Sequence, residues 1–529
     1  MRANYMVRCA GLLLLLPTLL WAQADHLEQG VELAREGHLP EARQELEAGA
    51  AEHPDDPRYF VELAGVAYRE GDLLAAESHL KAALRLAPED EYANDFLASI
   101  YYRREDYPAA LKFWNRIGEP KISFFETTPP PPLPADLYDR AFAVAPGETL
   151  TLAKYRTTNA WLENLDVLGD FRTAVTALRL QQAPQNGNGA SAAPAPRYAM
   201  AVRWAPDTPW ANLVRTASGL FTERLQYRIG NVNGKGMTLD PRFRWDAQKR
   251  RVFITLSAPF RGQPSMRYRL YTDLRKETWN IGAPADFRLT KQEFGAALRV
   301  QPSGRWWMEA GGRLENRNYQ GTEFASGVSI AMSFRAGVTL LDIPDHGFRV
   351  DLDVNNDLGR FYAGDQGGLF SRHQLSVQGV WRPHPKKNGD RQYEYRLRLG
   401  GGRAFGAVPF DELFMLARQR DDGIPLRGNS GTRNGKKGRA PVGGQYVVMN
   451  FDFYRETWRG EFGAIDIGPL VDVGNVWRTA TAVVQPGVAV DVGLQIRIRL
   501  SSGFTFAASY ARDLRNHTGV FDYSMATVR

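Results

Sequence analysis

The chain is almost without cysteine: one in 529 residues, Cys9. That residue sits in an N-terminal stretch with the marks of a targeting segment. Arg2 and Arg8 precede an apolar run at 12–20, and Ala22-Gln23-Ala24 offers small residues for cleavage. Residues 1–24 are therefore expected to be a secretory signal peptide, the run being short for a spanning anchor. Its removal leaves a chain with no thiol, which excludes disulfides and thiolate metal sites and suits passage through an oxidising compartment. Long apolar runs are missing from the rest of the chain, and the mean hydropathy of −0.39 argues against a helical membrane protein. Lys/Arg runs interleaved with aromatics are missing too, and the net charge of +7 is modest for this length, so nucleic acid is not an expected partner.

Catalytic constellations are equally scarce. There is no G-x-S-x-G motif. The eight histidines are scattered, without an i, i+4 pair beside carboxylates, and His38 and His79 read as surface residues. The glycine-rich "GNSGTRNGKKG" lies between expected strands rather than before a helix, so it reads as loop and not as a phosphate cradle. No catalytic residue, metal or cofactor is expected.

What is present begins with a repeat. Ala42, Ala76 and Ala110 recur every 34 residues, as do Leu46, Leu80 and Trp114; Pro54 and Pro88, Leu63 and Leu97, and Gly37 and Gly71 keep the same step. Small residues let two helices approach, and proline closes each unit before the next helix. The period and order resemble tetratricopeptide repeats, assigned to 25–120. Such arrays act as concave protein-binding surfaces or as spacers, and the pattern does not choose between them.

A proline run, "TTPPPPLP", reads as a stiff linker over 121–136. The segment 137–206 is expected to be a small α+β unit. It would open with a strand at 138–144, continue with a helix carrying Leu162, Leu165 and Leu168 on one side, and end with two strands, "RTAVTALRL" and "RYAMAVRW". In the second strand Tyr198, Met200, Val202 and Trp204 alternate onto one face. The low-complexity "QQAPQNGNGASAAPAPR" would be the hairpin tip. This strand–helix–strand–strand order, with "GETLTL" leading the helix, resembles a single POTRA domain, the periplasmic module that precedes outer-membrane assembly barrels. A linker is assigned to 207–220.

From 221 to 529 the period changes to two. In "AVDVGLQIRIRL", Val490, Val492, Leu494, Ile496, Ile498 and Leu500 point one way, while Asp491, Gln495, Arg497 and Arg499 point the other. "RQYEYRLRL", "FRVDLDVNND" and "SMRYRL" behave alike. Alternation also fits a soluble sandwich with a polar outer face. Charges on nearly every polar-face position, about fifteen or sixteen strands and a secretory signal favour a transmembrane antiparallel β-barrel of about 16 strands with a water-filled lumen.

The stretch "PFDELFMLARQRDDGIPLRGN", the strand "QYVVMNFDFYRE" after it and then "GAIDIGPLVDVGNVW" resemble the C-terminal barrel of the outer-membrane assembly and translocation superfamily, the bacterial surface antigen type that includes BamA, TamA and the two-partner-secretion transporters. In that family a long extracellular loop carries Val-Arg-Gly-Phe/Tyr and folds back into the barrel, its arginine meeting an aspartate on the second strand after it. Leu426, Arg427, Gly428 and Asn429 stand in the motif here, and Asp472 and Gly474 in the strand motif. Asn429 replaces an aromatic, which puts the packing of the loop in doubt, and the chain does not end on an aromatic residue. The physics agrees with a latch: a lone lumenal carboxylate needs a partner, a guanidinium can grip it bidentately, and glycine permits close approach to the wall.

The resemblance implies a non-enzymatic outer-membrane machine that inserts or translocates client polypeptides, with its N-terminal domains in the periplasm of a bacterium. Its partners would be outer-membrane lipid and client polypeptides or periplasmic proteins received by the repeats. The implied mechanism is a weak seam between the first and last barrel strands, with Leu225, Tyr227 and Ile229 on one edge and Phe521, Tyr523 and Met525 on the other, templating client strands by β-augmentation. The alternatives are a passive outer-membrane channel or an envelope scaffold; neither needs a latch or a seam.

Overall fold

The computed structural model describes residues 26–178, 197–205, 216, 219–220, 223–282, 286–383, 391–417, 426–479, 487–500 and 504–527. The signal segment, the tip of the hairpin at 179–196 and most of the 207–220 linker lie outside them. Two compact units divide at residue 97, and each is taken by itself.

The first unit is a row of paired helices: His26–Glu36 with Leu39–Glu52, then Pro57–Arg69 with Leu73–Leu86. The 34-residue step has a structural cause at each position. Gly37 and Gly71 end the first helix of each pair at φ +94° and +83°, where a side chain would be strained. Asp72 caps the helix that follows, accepting from Leu74 N at 3.1 Å and Ala75 N at 2.9 Å. Ala42 and Ala76 are wholly buried, as small residues between packed helices are expected to be. Leu46 packs with Tyr59, Leu63 and Val66, so this interior is dry and held by shape.

The second unit begins within the helix Glu91–Arg103, continues with the helix Tyr107–Trp114, which carries Ala110 and Trp114, and then forms three strands and two helices. Ile122–Thr128 pairs in parallel with Arg197–Ala205, which pairs antiparallel with Asp170–Leu178. The first strand therefore lies inside the stretch read as a linker, and no strand forms at 138–144. Leu137, Tyr138, Ala141 and Phe142 are all buried, a helical spacing rather than an alternating one. The chain there forms the short helix Ala135–Asp139 and a turn. The prolines from Pro129 on end the strand before them, since they cannot donate to a ladder. In the central strand Tyr198, Ala199, Met200, Ala201 and Val202 are all buried, so it is covered on both faces rather than one. Leu162 and Leu165, on the helix Leu152–Leu165, and Leu168 beyond it are buried as well.

The remaining strands form a closed barrel running from Arg224–Gln226 to Gly519–Thr527. Fifteen of its described strands exceed two residues, and the registers between successive wall strands are antiparallel throughout. An odd number makes the first and last run in the same direction. Phe294, Leu314 and Ile330 lie in one row across three strands and are exposed on the outside. The adjacent row, Glu293, Glu315 and Ser329, faces inward. On the strand Ala489–Leu500, Leu494 is 65% exposed while Asp491 is fully buried. An apolar exterior around a charged lumen, with every strand edge closed, is the form of sheet that lipid tolerates. No described helix is long and apolar enough to cross a membrane.

The helix Leu152–Leu165 rests on one mouth of this barrel. Trp161 donates to Gln301 O at 2.7 Å and Asn164 to Pro264 O at 2.6 Å, while Arg267 donates to the terminal carbonyls of Asn164 and Leu165, both at 3.0 Å. The segments 407–417 and 426–441, between the strands Tyr393–Gly406 and Val442–Gly460, lie toward the opposite mouth.

Candidate functional site

Strand register builds an unusual row inside the barrel. Asn450 pairs with Asp472, Asp472 with Asp491 and Asp491 with Asp513, on four adjacent strands. All three aspartates are fully buried. Like charges directly opposite on neighbouring strands oppose pairing by roughly 0.2–1 kcal/mol each, and more where water is excluded. The row can therefore exist only if donors reach it. Asp513 is satisfied by its own turn, accepting from Arg515 N at 2.8 Å and Asn516 Nδ2 at 2.7 Å. The other two are satisfied by the loop.

Arg427 supplies the cation. Its Nη2 lies 2.6 Å from Asp472 Oδ1 and its Nε 2.9 Å from Oδ2; its backbone N–H also donates to Oδ2 at 2.9 Å. The second guanidinium arm reaches Asp452. Burial disfavours the charged guanidinium, and the hydrogen bonds and charge of Asp472, reinforced by Asp452, offset that cost. Asn450 adds a donor to Asp472 at 2.7 Å. Gly428 donates its backbone N–H to Asp491 at 2.6 Å, and Asn429 donates its side-chain amide to the same carboxylate at 3.1 Å. Asn429, which stands where the resembling motif has an aromatic, thus contributes a side-chain amide donor to the row.

Two glycines set the fit. A Cβ on Gly428 would stand 2.6 Å from Asp513 N and 2.7 Å from Asp491 Cγ, so only glycine lets the loop backbone reach the row. A Cβ on Gly474 would meet Leu416 at 2.8 Å and Leu426 at 3.3 Å. Those leucines belong to an apolar cluster with Phe414, Tyr446, Val448 and Val476. Leu426, next to the arginine, is the apolar seat beside the ionic one.

Arg427, Gly428, Asp472 and Gly474 are therefore brought together at one place. Sequence reasoning missed Asp452, Asp491 and Asp513, whose part in the site comes from the register between strands and the loop that reaches them. The six gate residues flank the place where the sheet order closes, between its first and last strands. Leu225 lies in a strand of only three residues, paired with Phe243. Tyr227 and Ile229 fall beyond its end: Tyr227 N donates to Pro241 O at 3.1 Å, and Ile229 forms a single bridge with Leu239. The register is nonetheless unchanged through Ile229; the ladder lapses at Pro241, which has no N–H to return to Tyr227. Phe521, Tyr523 and Met525 pair with Tyr510, Ala508 and Phe506 on the penultimate strand. Phe521, Tyr523, Tyr227 and Ile229 are exposed.

No family model matches the chain, and no curated protein matches it. Among solved structures it is similar to BamA from Haemophilus ducreyi lacking POTRA domains 1-3, at 10% identity over 77% of this chain and 84% of that one, with a TM-score of 0.45. It is similar to CdiB from Acinetobacter baumannii, at 11% identity over 77% and 73% of the two chains and a TM-score of 0.46. For CdiB from Escherichia coli the identity is 11%, the coverage 78% and 75%, and the TM-score 0.48.

Proposed function

We propose that the chain is a non-enzymatic bacterial outer-membrane barrel of the assembly and translocation superfamily, which inserts or translocates client polypeptides. The observation that carries this reading is the grip of the aspartate row on Arg427, Gly428 and Asn429. A barrel that only conducts solutes does not need a motif loop clamped in its lumen by an ion pair. An apolar cluster around Trp279, Phe287, Phe410 and Met415 adds to the loop's contacts and works against an open water path. The seam is part of the same reading: the six edge residues lie beside the place where the first and last strands meet to close the sheet.

In this reading the paired helices are tetratricopeptide repeats, and the three-stranded unit with its two helices is a POTRA domain. Both lie in the periplasm, where the repeats receive clients. The loop holds the lumen closed while client strands add to the seam edge by backbone pairing.

Photo-crosslinkers placed at Tyr227, Ile229, Phe521 and Tyr523 in cells test this. Capture of newly exported polypeptides at these positions, and not at the lipid-facing Leu494, is expected. Equal labelling at all five, or labelling by lipid alone, would remove the seam from the mechanism.

A further inference from the structure

The loop carries a second charged feature, at its other end and of opposite sign. The turn Phe410–Glu412 places Asp411 and Glu412, both buried, against strands other than those that carry the aspartate row. Glu412 is ringed by cations from three wall strands. Its Oε1 is 2.7 Å from Lys291 Nζ and 2.8 Å from Arg317 Nη2, and its Oε2 is 2.6 Å from Arg372 Nη1 and 3.6 Å from Arg313 Nη2. Asp411 takes Arg317 Nε at 2.7 Å, Lys291 Nζ at 3.2 Å and Arg275 Nη2 at 3.5 Å, and the Tyr319 hydroxyl donates to it. Lys291 and Arg317 are essentially without solvent exposure. The wall also carries acids here: Glu315 lies 2.6 Å from Lys291, and Asp357 2.6 Å from Arg313. The loop's two carboxylates complete the cluster.

We propose that Asp411 and Glu412 are positioning residues that form a second lock on the loop, independent of Arg427 and opposite to it in polarity. The loop presents acid to a cationic wall at its start and a cation to an acidic wall at its centre. Exchanging or sliding the two ends would set like charge against like, so the loop has one seating. The turn also borders an internal cavity of about 460 Å³ lined by Arg251, Tyr271, Asp273 and Glu293, and the lock is what keeps the loop over it. Opening the lumen therefore requires release of both locks; release of one leaves the loop strapped by the other. This concerns how the lumen is closed and does not depend on whether the barrel inserts or translocates.

Single-channel recording on the full-length protein in planar bilayers tests it, with heat-modifiability on gels confirming that each variant is a folded barrel. The variants are Arg427→Ala, the pair Asp411→Asn with Glu412→Gln, and all three together. The expected result is that either set alone raises the open fraction less than about threefold, while the combination raises it more than tenfold. Thiol labelling of Leu413→Cys should rise in the Asn/Gln variant and not in Arg427→Ala. Full opening in either single set, or Leu413→Cys labelling that tracks Arg427→Ala, would overturn two independent locks. A Glu412→Asp variant that seals as the unchanged protein does supports a role for the charge. If it opens as far as the pair Asp411→Asn with Glu412→Gln, the carboxylate is not what holds the turn, and the proposal fails.

Discussion

The helical unit and the barrel lumen are both interiors, but they are assembled by opposite means. Around Leu46 the first unit buries alanines and large apolar side chains against one another, and nothing charged is needed to close it. Around Asp472 the barrel buries three aspartates in register and closes only when a loop delivers a guanidinium and two amide donors. Apolar packing is additive and forgiving of orientation, so losing one contact costs its area and its cavity. An ionic interior is conditional: losing one partner strands the other. The first kind suits a scaffold that stays folded. The second suits a part that has two positions, because the wall retains its charge whether or not the loop is there.

This contrast can be broken in graded steps. Gly428→Val should have the largest effect. The side chain cannot be placed beside Asp513 and Asp491 without moving the loop, so Arg427 should leave the row. Protease sensitivity in the 426–430 segment and loss of function should reach the level of Arg427→Ala, with the barrel still heat-modifiable. Leu46→Ala should cost the helical unit roughly 2–5 kcal/mol by lost burial and cavity formation, visible as a lower Tm in chemical or thermal unfolding, while leaving the loop's protection unchanged. Glu62→Gln should have the smallest effect. Burial raises the Glu62 carboxyl above the ordinary glutamate range, with the charge of Arg35 opposing. Its stabilising share is therefore present below that range and lost as pH rises through its own titration. The Gln variant should melt slightly higher than the unchanged protein at neutral pH and equally at acid pH.

The parts legible in the sequence are those fixed by local spacing. The 34-residue step is legible because each position has a local cause, such as the left-handed turn at Gly37 and Gly71 or the contact at Ala42 and Ala76. Strand alternation is legible because inward and outward faces differ so sharply, as at Asp491 and Leu494. Arg427 and Asp472 stand in short motifs, and each could be picked out alone. Asp491 and Asp513 could not, because their meaning lies in a register between strands 22 residues apart in the chain. Asp411 and Glu412 carry no local signal, since their partners Lys291, Arg317 and Arg372 come from distant strands. The strand at Ile122–Thr128 was hidden by the prolines after it, which read as the end of a domain although they end only a strand.

The central claim is that Arg427 and Asp472 act as one buried unit holding the loop inside the lumen. A double-mutant cycle on loop closure, read as hydrogen-exchange protection at 426–430 in the folded barrel, tests it most directly. Breaking a dry buried pair typically costs roughly 3–5 kcal/mol, and less where water reaches it. Arg427→Ala and Asp472→Ala should each remove most of the protection, and the double variant should be little worse than either. Effects that simply add would show that the two residues act separately, and the account would be wrong.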